Sequence, residues 1–275
     1  VALIEVKDLF YRYRDGTVAL RGLSLTIPRG KKVAILGPNG AGKSTLILHL
    51  NGIHLPQRGQ VLFNGEPVTE KNCLYLRSKV GLVFQDPDDQ VFSETVWEDV
   101  AFGPLNMGLG MAEIHRRVAA ALAAVGMTAY QDKAPYHLSY GQKKRVAIAG
   151  ILAMDPEVII LDEPVAFLDP QGKDTLFHIL DELNARGTTI VIATHDVDLA
   201  AEWADQLIVI KDGTCLAQGG PELLTDKQLV EAAALRFPII TRLFQQLPEL
   251  QLEQMPKTIA EGAAIIRKLL QTKER

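Results

Sequence analysis

Residues 37–44 read GPNGAGKS, lying between an apolar stretch, KVAIL at 32–36, and a helical pattern over 44–51. Glycines at 37, 40 and 42 let the backbone turn sharply and approach an anion closely. Successive N–H groups, backed by a helix N-terminus, then point at phosphate oxygens. Pro38, Asn39 and Ala41 complete the loop. The spacing GxxxxGK[ST], after a strand and before a helix, assigns Lys43 to the β- and γ-phosphates of a nucleotide and the Ser44 hydroxyl to Mg²⁺. Thr45 adds a donor toward the α-phosphate.

A second stretch agrees with the first. Residues 158–163 read VIILDE, four apolar residues that deliver two carboxylates to the end of a strand. In open α/β sheets ligands bind at that edge. Alone, the pair is also what a solvated acidic turn looks like. Beside a phosphate cradle, Asp162 is expected to hold Mg²⁺ through water and Glu163 to polarise the attacking water. Phosphoryl transfer needs positioning and charge neutralisation more than covalent chemistry.

The rest of the chain supports an α/β fold with a P-loop NTPase core. Nearly unbroken apolar runs at 32–36, 80–84, 158–161, 189–193 and 206–211 are joined through helical patterns. Such runs favour a parallel sheet covered on both faces. Residues 4–6 and 20–27 alternate instead, and 61–63 follow a glycine, which predicts an N-terminal antiparallel β subdomain. A helical insertion is expected over about 86–138, where AEIHRRVAAALAAV at 112–125 spaces its apolar residues three and four apart. From Pro221 the chain is again helical, broken at Pro238, Pro248 and Pro256. The tail at 258–270 is amphipathic and suits either a fold-back helix or a partner face. The expected division is a nucleotide-binding domain over 1–222 and a C-terminal helical extension over 223–275.

Composition sets limits. The 275 residues are 47% hydrophobic and 23% charged, enough for a sizeable core, and the formal net charge of −4 gives no bulk attraction to nucleic acid. Two cysteines make no disulfide framework. Residues 1–16 carry no apolar leader-like run, and no stretch approaches the ~18 apolar residues of a membrane span. Any membrane role is therefore expected to be peripheral. The six histidines form no local metal-ligand spacing.

Between the two phosphate motifs lies LSYGQKKR at 138–145. Taken with GPNGAGKS, Gln85, VIILDEP and His195, it resembles the nucleotide-binding subunit of ATP-binding-cassette (ABC) transporters, over about residues 4–221. The family's signature is LSGGQ, so Tyr140 departs from it. A small residue is usual in the family where Phe167 stands. The resemblance implies that Ser139, Gly141 and Gln142 bind the γ-phosphate held by the opposite subunit, so that nucleotide joins two copies head to tail. Read alone, LSYGQ is an ordinary helix start with Ser139 as N-cap, a role compatible with the functional one. The resemblance gives Gln85 contacts to Mg²⁺ and water, His195 a contact to γ-phosphate, Asp169 a place in the loop between the two sites, and Tyr13 the adenine stack, with Tyr11 as the alternative. Read alone, Gln85 is a polar strand end, His195 a capped turn and the tyrosines an edge strand.

Residues 84–104, FQDPDDQVFSETVWEDVAFGP, resemble the ATPases of energy-coupling-factor importers. The implied partners are an integral membrane coupling subunit, docked around Asp88, Asp89 and Gln90 with Val91, Phe92 and Trp97 to bury, and a substrate-binding membrane subunit. LSYGQKKRVAIAG followed by ILAMDP is most like the cobalt and nickel importers. The expected place is the cytoplasmic face of the membrane, and the expected assembly a homodimer. The alternatives are a vitamin importer's ATPase, and a nucleotide-gated interaction module in which Tyr140 weakens closure.

Overall fold

The computed structural model describes residues 2–273. Two long antiparallel strands, β1 (Ala2–Arg12) and β2 (Val18–Pro28), open the chain. They are followed by β3 (Lys32–Leu36), the glycine loop and α1 (Lys43–Leu50). Next come β4 (Arg58–Phe63), β5 (Glu66–Pro67), α2 (Cys73–Lys79) and β6 (Val80–Val83). Three helices follow, α3 (Val96–Asn106), α4 (Met111–Ala124) and α5 (Tyr140–Leu152). The chain returns through β7 (Val158–Asp162), α6 (Pro170–Ala185), β8 (Thr189–Thr194), α7 (Val197–Trp203), β9 (Gln206–Lys211) and β10 (Thr214–Gly219). It ends in α8 (Lys227–Ala232), α9 (Ile239–Gln245) and α10 (Ile259–Lys273).

The main sheet has the order β10-β9-β3-β8-β7-β6, and a second sheet has the order β2-β1-β4-β5. Strands β9, β3, β8, β7 and β6 are parallel, and β10 is an antiparallel edge. The apolar runs follow from double coverage. Ala34, Leu36, Ile159, Leu161, Ile190 and Ile192 pack into one core with α3–α7. Their neighbours Val33, Ile35, Val158, Ile160, Val191 and Ala193 pack into the other, with α1 and the antiparallel sheet. Successive side chains of a strand point to opposite faces, so strands with both faces buried must be apolar throughout.

Three findings adjust the reading of the sequence. Helix α1 begins at Lys43, one residue before the expected start, because Gly42 takes a left-handed conformation (φ 101°) and turns the chain directly into the helix. Strand β10 was not foreseen. The helical layer also continues past residue 138, since α5 packs against both α3 and α4. In the C-terminal segment, Leu224 joins the first core and Phe244 is buried, while α10 packs against α9. The start of α10 therefore folds back, although Ile266 and Leu270 further along are exposed.

Candidate active site

Parallel pairing brings the ends of four strands to one edge. Leu36 registers with Thr194, Asp162 with Ala193, and Val83 with Leu161. The residues that follow are the glycine loop, Glu163, His195 and Gln85. A cavity of 330 Å³ opens there, lined by Tyr13, residues 39–45, Gln85, Asp162 and Glu163. Residues from four separate stretches of sequence thus share one cleft.

The loop is built close to its neighbours. A Cβ on Gly37 would lie 2.2 Å from the Ile210 carbonyl oxygen, and one on Gly42 2.7 Å from that of Ala19. Gly40 has φ +80° and open space around it. Lys43 is 7% exposed, and its Nζ donates to the carbonyls of Gly37 (2.8 Å) and Pro38 (3.2 Å). Burial pushes its pKa down, opposed by the carboxylates of Glu163 and Asp162. A desolvated ammonium ringed by loop carbonyls fits an anionic phosphate, whose charge would offset the desolvation. Thr45 is buried and its Oγ1 is 2.9 Å from the Tyr13 hydroxyl.

Asp162 is half-buried, and burial raises its pKa. The Ser44 hydroxyl, Lys43 and Lys144 act the other way, while Glu163 adds to the rise. Ser44, Asp162 and Gln85 make an all-oxygen donor set beside the phosphate cradle. Among the described residues no three His, Cys, Asp or Glu side chains converge as a metal cage. The oxygen donor set suits Mg²⁺, which is usually bound through one or two carboxylates together with substrate phosphates.

Glu163 has φ +42°, and its N–H donates to Ala193. Its carboxylate accepts from Thr194 Oγ1 at 3.2 Å and from His195 Nδ1 at 2.9 Å. Because a carboxylate only accepts, Nδ1 is the protonated nitrogen, and Nε2 carries the lone pair when the ring is neutral.

Of the two tyrosines, Tyr13 lines the cavity, whereas Tyr11 stacks on His54 (4.9 Å between centroids, 17° between planes). Tyr11 also meets the buried His49 edge-on.

The signature residues stand elsewhere. Ser139, Gly141 and Gln142 line a separate 480 Å³ cavity with Tyr140, Phe167 and Asp169. Ser139 caps α5 in a reciprocal capping box: its Oγ accepts from Gln142 N (3.3 Å) and Gln142 Oε1 accepts from Ser139 N (2.9 Å). Asp169 caps α6 by accepting from Gly172 N at 2.7 Å.

Sequence reasoning missed Lys144. It is 1% exposed and its Nζ donates to the carbonyls of Phe84 (3.0 Å) and Gln85 (2.7 Å). Burial pushes its pKa down to about 8, with Asp162 and Asp86 holding it up. The available signal was position, since Lys144 lies one turn before the buried Ile148 on the same face of α5.

Part of the expected membrane-facing set is used internally. Gln90 bonds the backbone of Phe84 and Leu82, Asp88 pairs with Lys143 at 2.6 Å, and Trp97 packs against the core. Phe92 and Phe102 are exposed and meet edge-on at 5.2 Å. They line a 190 Å³ groove with Val91, Ile151 and Met154.

The model of the ABC transporter family matches residues 20–166. The energy-coupling factor transporter ATP-binding protein EcfA of Methanocaldococcus jannaschii is 53% identical over 248 residues, covering 89% of this chain and 89% of that protein. The EcfA of Carboxydothermus hydrogenoformans is 48% identical over 267 residues, covering 97% and 98%. Among solved structures, cbiO1 of Clostridium perfringens, part of the ABC transporter complex cbiONQ, is 46% identical with a TM-score of 0.76, covering 89% of this chain and 99% of that one. The dimeric post-hydrolysis cassette MJ0796, bound to ADP and Pi, is 28% identical with a TM-score of 0.72, covering 79% and 98%. With a phosphate cradle, paired carboxylates and this cassette fold, the chain belongs to the ABC transporter family. Within it, the chain is an ATP-hydrolysing subunit of the energy-coupling-factor type. Among the described residues no helix is long and apolar enough to cross a membrane.

Proposed function

We propose that two copies of this chain, joined head to tail, drive an importer of cobalt or nickel ions from the cytoplasmic face of the membrane. One observation supports the dimer: the phosphate cavity and the cavity at the signature residues share no lining residue within one copy. A second copy would bring Ser139, Gly141 and Gln142 to the cradle of the first. The metal assignment rests on likeness to cbiO1 and on the sequence from LSYGQ to ILAMDP.

In this reading residues 1–222 are the working cassette and 223–275 an extension. Gly37, Pro38, Asn39, Gly40, Ala41 and Gly42 cradle the phosphates, and Lys43 leaves its loop carbonyls to neutralise them. Thr45 assists, and Tyr13 stacks on the base. Ser44, Asp162 and Gln85 hold Mg²⁺, which supplies charge neutralisation at the phosphate oxygens. Glu163 orients the attacking water and accepts its proton, while His195 keeps that carboxylate in place. The groove at Phe92 and Phe102 receives an apolar helix of the integral coupling subunit, and a second membrane subunit binds the ion. The ion itself does not touch this chain.

The test is co-expression with a candidate cobalt or nickel membrane complex, following metal uptake and phosphate release with the parent and Glu163→Gln. Uptake abolished by the substitution is expected. ATP hydrolysis without uptake of either metal would keep the motor and discard the ion assignment.

A further inference from the structure

Tyr140 and Phe167, the two departures from the family pattern, touch each other. Their rings meet edge-on, 5.4 Å between centroids and 68° between planes. The Tyr140 hydroxyl donates to the Gln85 carbonyl at 3.1 Å. Lys144, one turn further along α5, donates to the same oxygen at 2.7 Å. Both lone pairs of that carbonyl are therefore engaged from one helix. Lys143 adds an ion pair to Asp88 at 2.6 Å. The backbone that presents Gln85 is thus fixed to α5, not only to the end of β6.

Phe167 is held in a conformation that bulky residues avoid. Its φ is +61° and its side chain is 77% exposed, so the core does not hold it there. The Tyr140 ring is its aromatic partner. Burial, and then the carboxylates of Asp86, Asp88 and Asp89, raise the pKa of the phenol, which keeps it a donor.

We propose that Tyr140 is a positioning residue that clamps the Gln85 backbone to the signature helix, with Phe167 buttressing its ring. The signature's odd residue is then a working part of the chain's own phosphate site as well as a neighbour of the opposite one. This rests on the assignment of Gln85 to the ATP site.

The test uses the full chain with Tyr140→Phe, which keeps the ring and removes the hydroxyl, Tyr140→Gly, which removes both, and Phe167→Gly, which relieves the backbone and removes the buttress, alone and combined with Tyr140→Gly. Two readouts are taken: kcat against KM for ATP, and hydrogen exchange of residues 84–91. Losing one neutral hydrogen bond is expected to lower kcat about fivefold with KM unchanged. Exchange over 84–91 should speed up by a similar factor, while residues 158–162 keep the parent's protection. Phe167→Gly should act in the same direction in the parent and add nothing when Tyr140→Gly is already present. Parent-like exchange and kcat in Tyr140→Phe, or fully additive effects of the Tyr140→Gly and Phe167→Gly substitutions, would overturn the clamp. A parent that hydrolyses no ATP would instead defeat the site assignment, and the exchange data would still decide the clamp.

Discussion

His195 Nδ1 lies 2.9 Å from Glu163 Oε1, and Thr194 Oγ1 lies 3.2 Å from the other carboxylate oxygen. The proposed base is thus oriented from two sides by consecutive residues at the end of β8. Its left-handed backbone (φ +42°) turns it off the strand axis. Replacing Glu163 by Gln should lower ATP turnover ~10²–10³-fold, the usual effect of losing one preorganised group. Thr194→Val removes one donor and keeps the shape, so a loss of about three- to tenfold is expected. Steady-state phosphate release checks both, and equal effects would show that the carboxylate is not the main contributor.

The glycine loop separates two kinds of constraint. Gly37→Ala would place Cβ 2.2 Å from a backbone oxygen of Ile210, which no side-chain motion relieves. It should cost more than about 2 kcal/mol of stability and abolish nucleotide binding. Gly40→Ala meets nothing within 4 Å and suffers only from its φ of +80°. A cost of roughly 1–2 kcal/mol with retained folding is expected. Urea midpoints and binding of a fluorescent ATP analogue measure the difference.

Much of this site could be read from residue order because strand ends and glycine loops have local chemical causes. The runs KVAIL and VIILD are apolar throughout because both faces of the sheet are covered, and they deliver Gly37 and Asp162 to the same edge. Strand β10 escaped notice because TCLAQG is half-buried and has few β-branched residues. Its signal was the preceding Asp212-Gly213, both with positive φ, a pairing typical of a two-residue hairpin turn. The direction of the Tyr140 phenol was not legible, since it depends on a carbonyl 55 residues away. Lys144 was hidden by its type, because lysine is seldom buried.

Acid should destabilise the chain through His49. The ring is fully buried, its Nδ1 donates to the Thr45 carbonyl at 2.7 Å, and its Nε2 has no hydrogen-bond partner. Protonation would bury an unpaired N–H and a charge near His54. Burial accordingly pushes the pKa down to about 4. Unfolded His49 binds a proton near its ordinary pKa of about 6.5. Between those values the unfolded state holds more protons, so stability falls as pH is lowered from 6.5 to 4. The full effect is up to about 3 kcal/mol. Denaturant unfolding across that range should show the slope, and His49→Phe should flatten it.

Gly141→Ala separates folding from the proposed dimer contact. In the single chain a Cβ at Gly141 meets only Leu168 Cδ2, at an ordinary 3.5 Å, and the residue lies in the first turn of α5 with no positive φ. Nothing within this copy requires a glycine there, and alanine favours helix by up to about 1 kcal/mol. The melting temperature should therefore hold or rise slightly. If a second copy's phosphates approach the α5 N-terminus, the added methyl group crowds them, and ATP turnover should fall at least tenfold. Turnover equal to the parent's would mean that the signature surface does not meet phosphate at close range, and the head-to-tail arrangement would lose its main support.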